Sequence, residues 1–312
     1  MTAIVHIIVP VFALILVGYA VGRTPKWTPD ATKYFNNFVF YVALPTLLFG
    51  ALASGRAFNG VDPLIAAAYF GGSLISMALI IVLSRALFRL PGEELALLGM
   101  GAGFSNTVLL GLPLIVLTFG DAAVGPITAI IAFNTLLLLP VTILIIEVSR
   151  GRASQRGLPA IVVAPIRALS RNPILLAIVA GSAWSFTGIG LAVPVERYIE
   201  MMSGAAGPCA VFVLGASLAE YKIAGRPAET AIMAGFKVIV HPIIVWLLCT
   251  QVFVLDDLTT GVATMMAAIP VGATVFTVAQ QYRTFVGPVT SAILISTGIS
   301  AGTLAVVISL LT

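Results

Sequence analysis

The sequence predicts an all-α polytopic membrane protein with ten transmembrane helices, arranged as two inverted five-helix repeats. Composition, charge distribution and two interrupted apolar segments lead to this prediction. Of the 312 residues, 60% are hydrophobic and only 9% are charged, whereas soluble domains are about 25% charged. The mean hydropathy of +1.11 therefore indicates a chain that is largely solvated by lipid.

Charged residues fall in clusters and leave ten charge-free stretches between them. A spanning helix needs about 20 apolar residues, and nearly every stretch is that long. The seventh and eighth are slightly short, and we expect them to extend over Glu200 and Lys237. The ten stretches are 1–22, 34–55, 63–84, 95–120, 122–146, 172–195, 201–219, 238–255, 258–282 and 284–312.

The basic residues support this segmentation and also indicate an orientation. Nearly all of the 16 lysines and arginines lie in odd-numbered loops, which the positive-inside rule places in the cytoplasm. The exceptions are Arg56, Arg197 and Lys237. We therefore expect a multi-pass protein of the cell inner (plasma) membrane with both termini outside the cytoplasm. The net charge of +4 then reflects the anionic bilayer surface, and no nucleic-acid partner is expected.

A polar connection with several arginines divides the chain into halves of five spans each. The predicted boundaries are 1–149 for the first five-helix repeat, 150–170 for a cytoplasmic linker and 171–312 for the second repeat. Part of the linker, 158–169, is expected to form a short interfacial helix. An odd number of spans per half inverts the second half relative to the first. The triplet Val124-Gly125-Pro126 at the start of span five matches Val286-Gly287-Pro288 at the start of span ten.

Spans four and nine are each interrupted by glycine and proline, at Gly111-Leu112-Pro113 and at Pro270-Val271-Gly272. A freed backbone N–H or C=O in the bilayer costs several kcal/mol unless protein or trapped water satisfies it. A matched pair of interrupted helices is therefore the best indication of the substrate site of a secondary transporter. The two interruptions predict a carrier of small solutes.

The residues around the interruptions favour an anionic substrate. The second half of a broken helix presents unpaired N–H groups and about half a positive charge to the cavity. An asparagine amide can donate to a carboxylate oxygen, although such residues also join neighbouring helices, and the two glycines are expected mainly to allow close approach. The candidate substrate-binding residues are Asn106, Thr107, Gly111, Pro113, Asn134, Pro270, Val271, Gly272 and Thr274.

Few ionisable residues lie within the spans. Lys237 and His241 share one face of span eight, and each is a candidate for charge compensation or ion coupling. Alternatively, Lys237 extends to the cytoplasmic face and His241 bonds a carbonyl freed by Pro242. Glu147, near the cytoplasmic end of span five, is expected to pair with Arg150 or Arg152. No metal-ligand spacing is found, and neither a cofactor nor a metal is expected.

Two segments resemble motifs of the auxin efflux carrier family. Residues Ser105-Asn106-Thr107-Val108-Leu109-Leu110-Gly111-Leu112-Pro113-Leu114 resemble its fourth-span motif. Residues 268–276, continuing to Ala279-Gln280-Gln281-Tyr282, resemble its ninth-span motif. The family comprises plant PIN-type exporters and bacterial carriers of auxin-like or small dicarboxylic acids such as malonate and malate. Many relatives carry an asparagine where this chain has Thr274.

The resemblance implies the fold of sodium–bile acid symporters, in which helices 4 and 9 cross at their broken centres. It further implies an elevator mechanism and a homodimer. Spans one, two, six and seven would form the scaffold or dimer face. Spans three to five and eight to ten would form the mobile bundle that holds the crossover.

The most consistent function is secondary transport of a small organic anion, with export favoured. Each negative charge exported from a negative interior gains about 2.3 kcal/mol per 100 mV, so voltage alone can drive it. The alternative is proton- or sodium-coupled uptake of an organic acid. A channel would need a continuous polar pore, and an intramembrane hydrolase would need a catalytic dyad at depth. We therefore expect a transporter and not an enzyme, and the missing P-loop motif excludes ATP drive within this chain.

Overall fold

The structure is a computed structural model that describes residues 2–54, 63–151 and 171–311. Within these ranges the chain is all-helical, and its one extended pairing is an isolated antiparallel bridge between Ser105 and Val271. The α-helices are α1 Thr2–Gly22, α2 Pro29–Phe38, α3 Leu44–Ala53, α4 Leu64–Phe88, α5 Gly92–Gly103, α6 Leu112–Phe119, α7 Val124–Ser149, α8 Pro173–Phe186, α9 Val193–Glu220, α10 Pro227–Gly235, α11 His241–Leu247, α12 Asp257–Ala268, α13 Ala273–Tyr282 and α14 Val286–Leu311.

Six helical stretches within the described ranges are long and apolar enough to cross a membrane, so the protein is a multi-pass membrane protein. Shorter apolar helices cover 6–22, 137–149 and 173–186. The helices flanking the interruptions of spans four and nine are individually short, and the predicted count of ten spans stays a prediction. The six long stretches are Pro29–Ala53, Leu64–Phe88, Thr107–Ile131, Val193–Glu220, Pro227–Val252 and Val286–Leu310.

Most of the predicted linker lies outside the described residues. This applies to 152–170, and hence to the interfacial helix expected at 158–169. α7 ends at Ser149, and α8 begins at Pro173 after the N-cap Asn172.

Three spans bend at a π-helical turn that directly precedes a proline-containing α-helix. The turns are Val39–Ala43, Thr107–Gly111 and Phe236–Val240. Each is followed by an α-helix with proline in its first two positions. Proline lacks an N–H and its ring clashes with the carbonyl four residues earlier, and a wider π turn changes the backbone pairing at that point. Proline thus bends these spans without ending them.

The described chain divides into two compact units, each built from both halves of the sequence. The first unit contains α1–α3, α6, the start of α7, α8 and α9. The second contains α4, α5, the rest of α7 and α10–α14.

Within the first unit, helices α1 and α9 pack backbone against backbone. A Cβ atom at Gly18 would lie 2.1 Å from the carbonyl oxygen of Phe212, and one at Gly215 would lie 2.1 Å from that of Ile15. Only glycine permits such an approach, and small residues at helix contacts are typical of membrane proteins. This contact requires glycine on both helices.

Within the second unit, α5 and α12 are the central helices. Residues 95–103 of α5 and 259–268 of α12 are all buried. A helix that is buried on every side must be surrounded by other elements. Both central helices stop abruptly, and the segments that follow them form the candidate site.

Candidate functional site

The interruptions of spans four and nine lie side by side in the second unit. After α5, residues 104–106 leave the helix, with Phe104 at φ −95° and ψ 110°. After α12, residues 269–272 are extended, and α13 begins at Ala273. The backbone N–H of Asn106 donates to the carbonyl of Pro270 at 3.1 Å, and that of Gly272 donates to the carbonyl of Phe104 at 2.9 Å. Each interruption thus provides hydrogen-bond partners for backbone groups of the other.

Gly272 is required for this close approach. A Cβ atom there would lie 2.7 Å from Cδ1 of Phe104 and 2.8 Å from the carbonyl oxygen of Ser105. The second obstacle is backbone, which cannot rotate away. Any larger residue at position 272 would therefore push the two interruptions apart.

The predicted position of the span-four interruption was wrong by roughly two helical turns. The sequence placed it at Gly111-Leu112-Pro113, but the helix is broken at 104–106. Gly111 lies in the π turn and Pro113 at the start of α6, where the missing N–H of proline is easily tolerated. Both belong to the first unit. The signal for the true position is the run of short polar side chains at 105–107, which compete for backbone hydrogen bonds.

The backbone groups freed at the span-nine interruption are satisfied by side chains. In a continuous helix, the N–H of Val271 would donate to the carbonyl of Ala267. Instead, that N–H donates to Oγ of Ser296 at 3.1 Å. The carbonyl of Ala267 accepts a hydrogen bond from Nζ of Lys237. One broken backbone pair is thus replaced by a serine on α14 and a lysine on span eight.

Lys237 and His241 form a buried hydrogen-bonded pair. Both are fully buried, so Lys237 does not extend to the cytoplasmic face, and His241 bonds side chains and not the carbonyl freed by Pro242. Nζ of Lys237 lies 3.2 Å from Nδ1 of His241, and Nε2 of His241 lies 3.0 Å from Oγ of Ser73. Because Ser73 donates to the carbonyl of Tyr69, its oxygen accepts from His241. This arrangement favours the tautomer with the proton on Nε2, in which Nδ1 can accept from Lys237.

Tyr69 of α4 links the same network to the span-four interruption and to the last turn of α12, and the sequence analysis did not identify it. Its hydroxyl donates to Oγ of Ser105 at 2.8 Å and lies 3.5 Å from the carbonyl oxygen of Met266. Tyr69 is fully buried and Ser105 is 1% exposed. A tyrosine in an apolar span usually finds a partner for its hydroxyl, which is the one signal that the sequence offers.

The polar residues predicted to contact the substrate differ in how far they are buried. Asn106 and Thr107 are buried, with 6% and 5% of their surface exposed, and Thr274 in the first turn of α13 is partly exposed. Asn134 is 2% exposed, and its Oδ1 has no partner among the described residues. Asn134 follows Val124 by as many residues as Ser296 follows Val286, so the two occupy corresponding positions in the two halves.

At the ends of α5, α7 and α13, Arg150 does not pair with Glu147, and the other expected partner, Arg152, lies outside the described residues. Glu147 is 1% exposed and its Oε1 accepts a hydrogen bond from the hydroxyl of Tyr282 at 2.9 Å. Arg150 instead forms an ion pair with Glu93, in the first turn of α5, and donates to the carbonyl of Tyr282 at 2.8 Å. These contacts join the ends of α5, α7 and α13, away from the interruptions.

Comparison with known proteins indicates a membrane transport protein. A family model described as "membrane transport protein" matches residues 3–308. A protein of Rhizobium meliloti (strain 1021) named "Putative malonate transporter" is 27% identical over 307 residues, which cover 97% of this chain and 94% of that protein.

Two further relatives are more distant. The "Uncharacterized transporter YfdV" of Escherichia coli (strain K12) is 23% identical over 248 residues, covering 76% of this chain and 75% of that protein. The "Lysosomal cholesterol signaling protein" of Mus musculus is 24% identical over 311 residues, covering 93% of this chain but 35% of that longer protein.

Proposed function

Because this chain belongs to the membrane transport protein family, which is the auxin efflux carrier family that its span motifs resemble, we propose that it is a secondary transporter of small organic anions. The observation that carries the proposal is the hydrogen-bonded pair of helix interruptions in the second unit. Irregular backbone at membrane depth occurs where it is buried in protein or lines a cavity. A paired interruption of this kind is the usual place of a transporter's substrate.

The polarity of the site favours a carboxylate. Gly272 provides no side-chain cap for α13. The N–H of Val275 donates to the Gly272 carbonyl, and the earlier N–H groups of that helix remain available to a ligand. The helix N-terminus carries a partial positive charge, and the Lys237 ammonium lies behind the same interruption. Among the described residues, no carboxylate side chain hydrogen-bonds the residues of either interruption. An anion is therefore the ligand that this electrostatic environment stabilises best.

We assign the substrate carboxylate to Asn106, Thr107 and Thr274, which stand at or just after the two interruptions. Asn134 would meet a second polar group of the substrate, because its buried amide oxygen needs a donor. A protonated carboxyl group, a hydroxyl group or an indole N–H would supply that donor. The substrates of this chemistry are auxin-like acids and mono- or dicarboxylates such as malonate or malate. The name of the Rhizobium relative supports the dicarboxylates.

The proposed topology is ten spans in two inverted repeats, 1–149 and 171–312, with a cytoplasmic linker at 150–170 and both termini outside. Corresponding backbone positions support it. Spans three and eight are followed by residues with positive φ, Arg89 at 50° and Val254 at 49°. Such values are unusual outside glycine, so their recurrence favours a repeat.

The proposed mechanism is alternating access of the elevator type in a homodimer. Spans three to five and eight to ten would carry the site, and spans one, two, six and seven would supply the scaffold and the dimer face. With the cell interior negative, an uncoupled carrier of this kind exports anions on voltage alone. Uptake coupled to protons or sodium is the alternative, with His241 or backbone carbonyls at the interruptions as the ion ligands.

A binding screen with the purified protein tests the anion assignment. Malonate, malate and an indole carboxylate should bind, whereas malonamide, which has the shape of malonate without its charge, should not. Isothermal calorimetry in a single buffer measures all four ligands. Equal affinity for malonate and malonamide, or binding of none of the acids, would contradict the proposal.

A further inference from the structure

The carboxyl end of α12 is met by a lysine side chain from span eight. Ala267 lies one residue before the end of α12, so its carbonyl is among those without a helical partner. Such ends carry about half a negative charge. In the structure this carbonyl accepts from Nζ of Lys237, on a span that is distant in sequence. The lysine therefore meets both a hydrogen-bond acceptor and a negative dipole end.

We propose that the Lys237 ammonium is a built-in cation beside the paired interruptions at 104–106 and 269–272. It would fill the place that a coupling ion such as Na⁺ would occupy, and it would balance one negative charge of the bound substrate. The inference rests on the proposed function as an anion carrier and extends it. Carbonyl groups at the carboxyl end of a broken helix are the usual ligands for a coupling cation in transporters. In the proposed role the side chain would supply the positive charge, so anion binding should not need sodium.

The surroundings of Lys237 fix the ammonium in position. The side chain is fully buried and is held between the carbonyl of Ala267 and Nδ1 of His241. His241 is oriented in turn by Ser73, whose hydroxyl donates to the carbonyl of Tyr69 at 2.9 Å. Nδ1 of His241 lies 3.2 Å from Nζ of Lys237, so the imidazole is the second polar partner of the lysine. The arrangement resembles the coordination of a small cation by oxygen and nitrogen ligands.

The charge of Lys237 has no acidic partner among the described residues. None of the ion pairs there includes it, and its hydrogen-bond partners are the imidazole of His241 and the carbonyl of Ala267. A buried charge without a counterion is costly. A substrate carboxylate at the adjacent interruption supplies the missing negative charge. Lys237 would therefore favour anion binding without contacting the substrate.

Substitution of Lys237, with a matched control, tests this role. Lys237→Ala removes the ammonium and leaves space beside the Ala267 carbonyl, and Lys237→Met keeps the bulk without the charge. Lys222→Ala removes an exposed lysine and causes the same change in net charge. For the full-length protein in nanodiscs, malonate affinity is measured in choline chloride, sodium chloride and methylammonium chloride. The thermal unfolding midpoint is measured in the same salts without malonate.

The wild type and Lys222→Ala should bind malonate with the same Kd, within about twofold, in all three salts. Lys237→Ala should lose about tenfold or more in choline chloride and regain affinity in sodium or methylammonium chloride. Lys237→Met should lose affinity without regaining it. Sodium-dependent binding by the wild type would overturn the proposal, and so would full affinity of Lys237→Ala in choline chloride.

The unfolding midpoints separate this inference from the proposed function. If the wild type binds no carboxylate, the proposed function fails. Even then, sodium or methylammonium should raise the midpoint of Lys237→Ala while leaving the wild type and Lys237→Met unchanged. If the midpoint of Lys237→Ala does not respond to these cations, the proposal that Lys237 is a built-in cation is overturned. If Lys237→Ala does not fold, the salt dependence of wild-type affinity still decides the matter.

Discussion

The backbone N–H of Gly272 lies 2.9 Å from the carbonyl oxygen of Phe104, to which it donates a hydrogen bond across the two interruptions. The same two residues leave no room for a side chain, since a Cβ atom at Gly272 would lie 2.7 Å from Cδ1 of Phe104. Backbone pairing between two broken helices therefore depends on a single glycine. This contact holds the polar ends of both helices at one place.

Gly272→Ala should disrupt the pairing and abolish anion binding. The added methyl group meets the backbone at Ser105 as well as Phe104, and relieving such overpacking costs about 1–3 kcal/mol. We expect a lower thermal unfolding midpoint and a loss of malonate affinity of more than about tenfold. Gly298→Ala on α14 is the control, because nothing lies within 4 Å of its added Cβ. Normal binding by Gly272→Ala would show that the approach is less tight than the structure indicates.

Asn106→Ala should weaken substrate binding while the protein stays folded. A hydrogen bond to a charged group contributes about 1.5–3 kcal/mol, which corresponds to about ten- to a hundredfold in affinity. Glu147→Gln should change affinity much less, because Glu147 bonds Tyr282 away from the interruptions. Calorimetric titration with malonate measures both variants. Unchanged affinity of Asn106→Ala, with a normal unfolding midpoint, would reassign Asn106 to helix packing.

Tyr69→Phe should weaken the packing at the span-four interruption while keeping the aromatic ring. The lost hydroxyl leaves the buried Oγ of Ser105 without its donor at 2.8 Å, at a cost of about 1 kcal/mol. We expect a lower unfolding midpoint and a modest loss of anion affinity. The control is Tyr198→Phe, whose side chain is 52% exposed, and it should change neither quantity. Equal midpoints for the two variants would show that the Tyr69 hydroxyl contributes nothing to stability.

Asp256 is the N-cap of α12, where its side chain accepts a hydrogen bond from the backbone N–H of Thr259. This cap predicts a pH effect on stability. Burial alone would raise the pKa of Asp256, but hydrogen bonds, chiefly from Thr259, outweigh it and the pKa is lowered. Since the folded pKa lies below the unfolded one, the stabilisation is complete above about pH 4 and is lost as the pH falls through the folded pKa.

Asp256→Ala should therefore lower the free energy of unfolding by about 1 kcal/mol at neutral pH, the usual loss for an N-cap. The deficit relative to the wild type should shrink as the pH falls below 4, when the wild-type carboxylate is protonated. Asp256→Asn keeps an acceptor for Thr259 and should lose little stability at neutral pH. A deficit of Asp256→Ala that stays constant down to pH 3 would contradict the ionised cap. Denaturant unfolding of the purified protein at several pH values measures these differences.

The sequence predicted one interruption correctly and misplaced the other, for a physical reason. At Pro270 the missing N–H coincides with an extended segment, so the pattern and the structure agree. At Pro113 a π turn absorbs the proline, and the helix breaks earlier, at 104–106. Proline marks where backbone pairing must change, but tertiary packing decides whether the change is a bend or a break.

The side chains that complete the site could not be predicted from the sequence alone. Ser296 and Tyr69 come from spans ten and three, and nothing local distinguishes them from other polar residues of apolar helices. They become significant only because the fold brings them to Val271 and Ser105. Lys237 was recognised as a candidate for charge compensation because it is an ionisable residue within a span. Its partner, the Ala267 carbonyl, depends on the crossing of helices that the sequence pattern does not fix.

The most direct measurement of the central claim is transport of radiolabelled malonate by the purified protein in liposomes under an imposed potassium-diffusion potential. The uncoupled anion carrier predicts that malonate moves toward the positive side, with no sodium present and no pH gradient. Reversing the potential should reverse the direction of movement, and Asn106→Ala should reduce the rate. Transport that ignores voltage and stops when sodium or the pH gradient is removed would contradict this account.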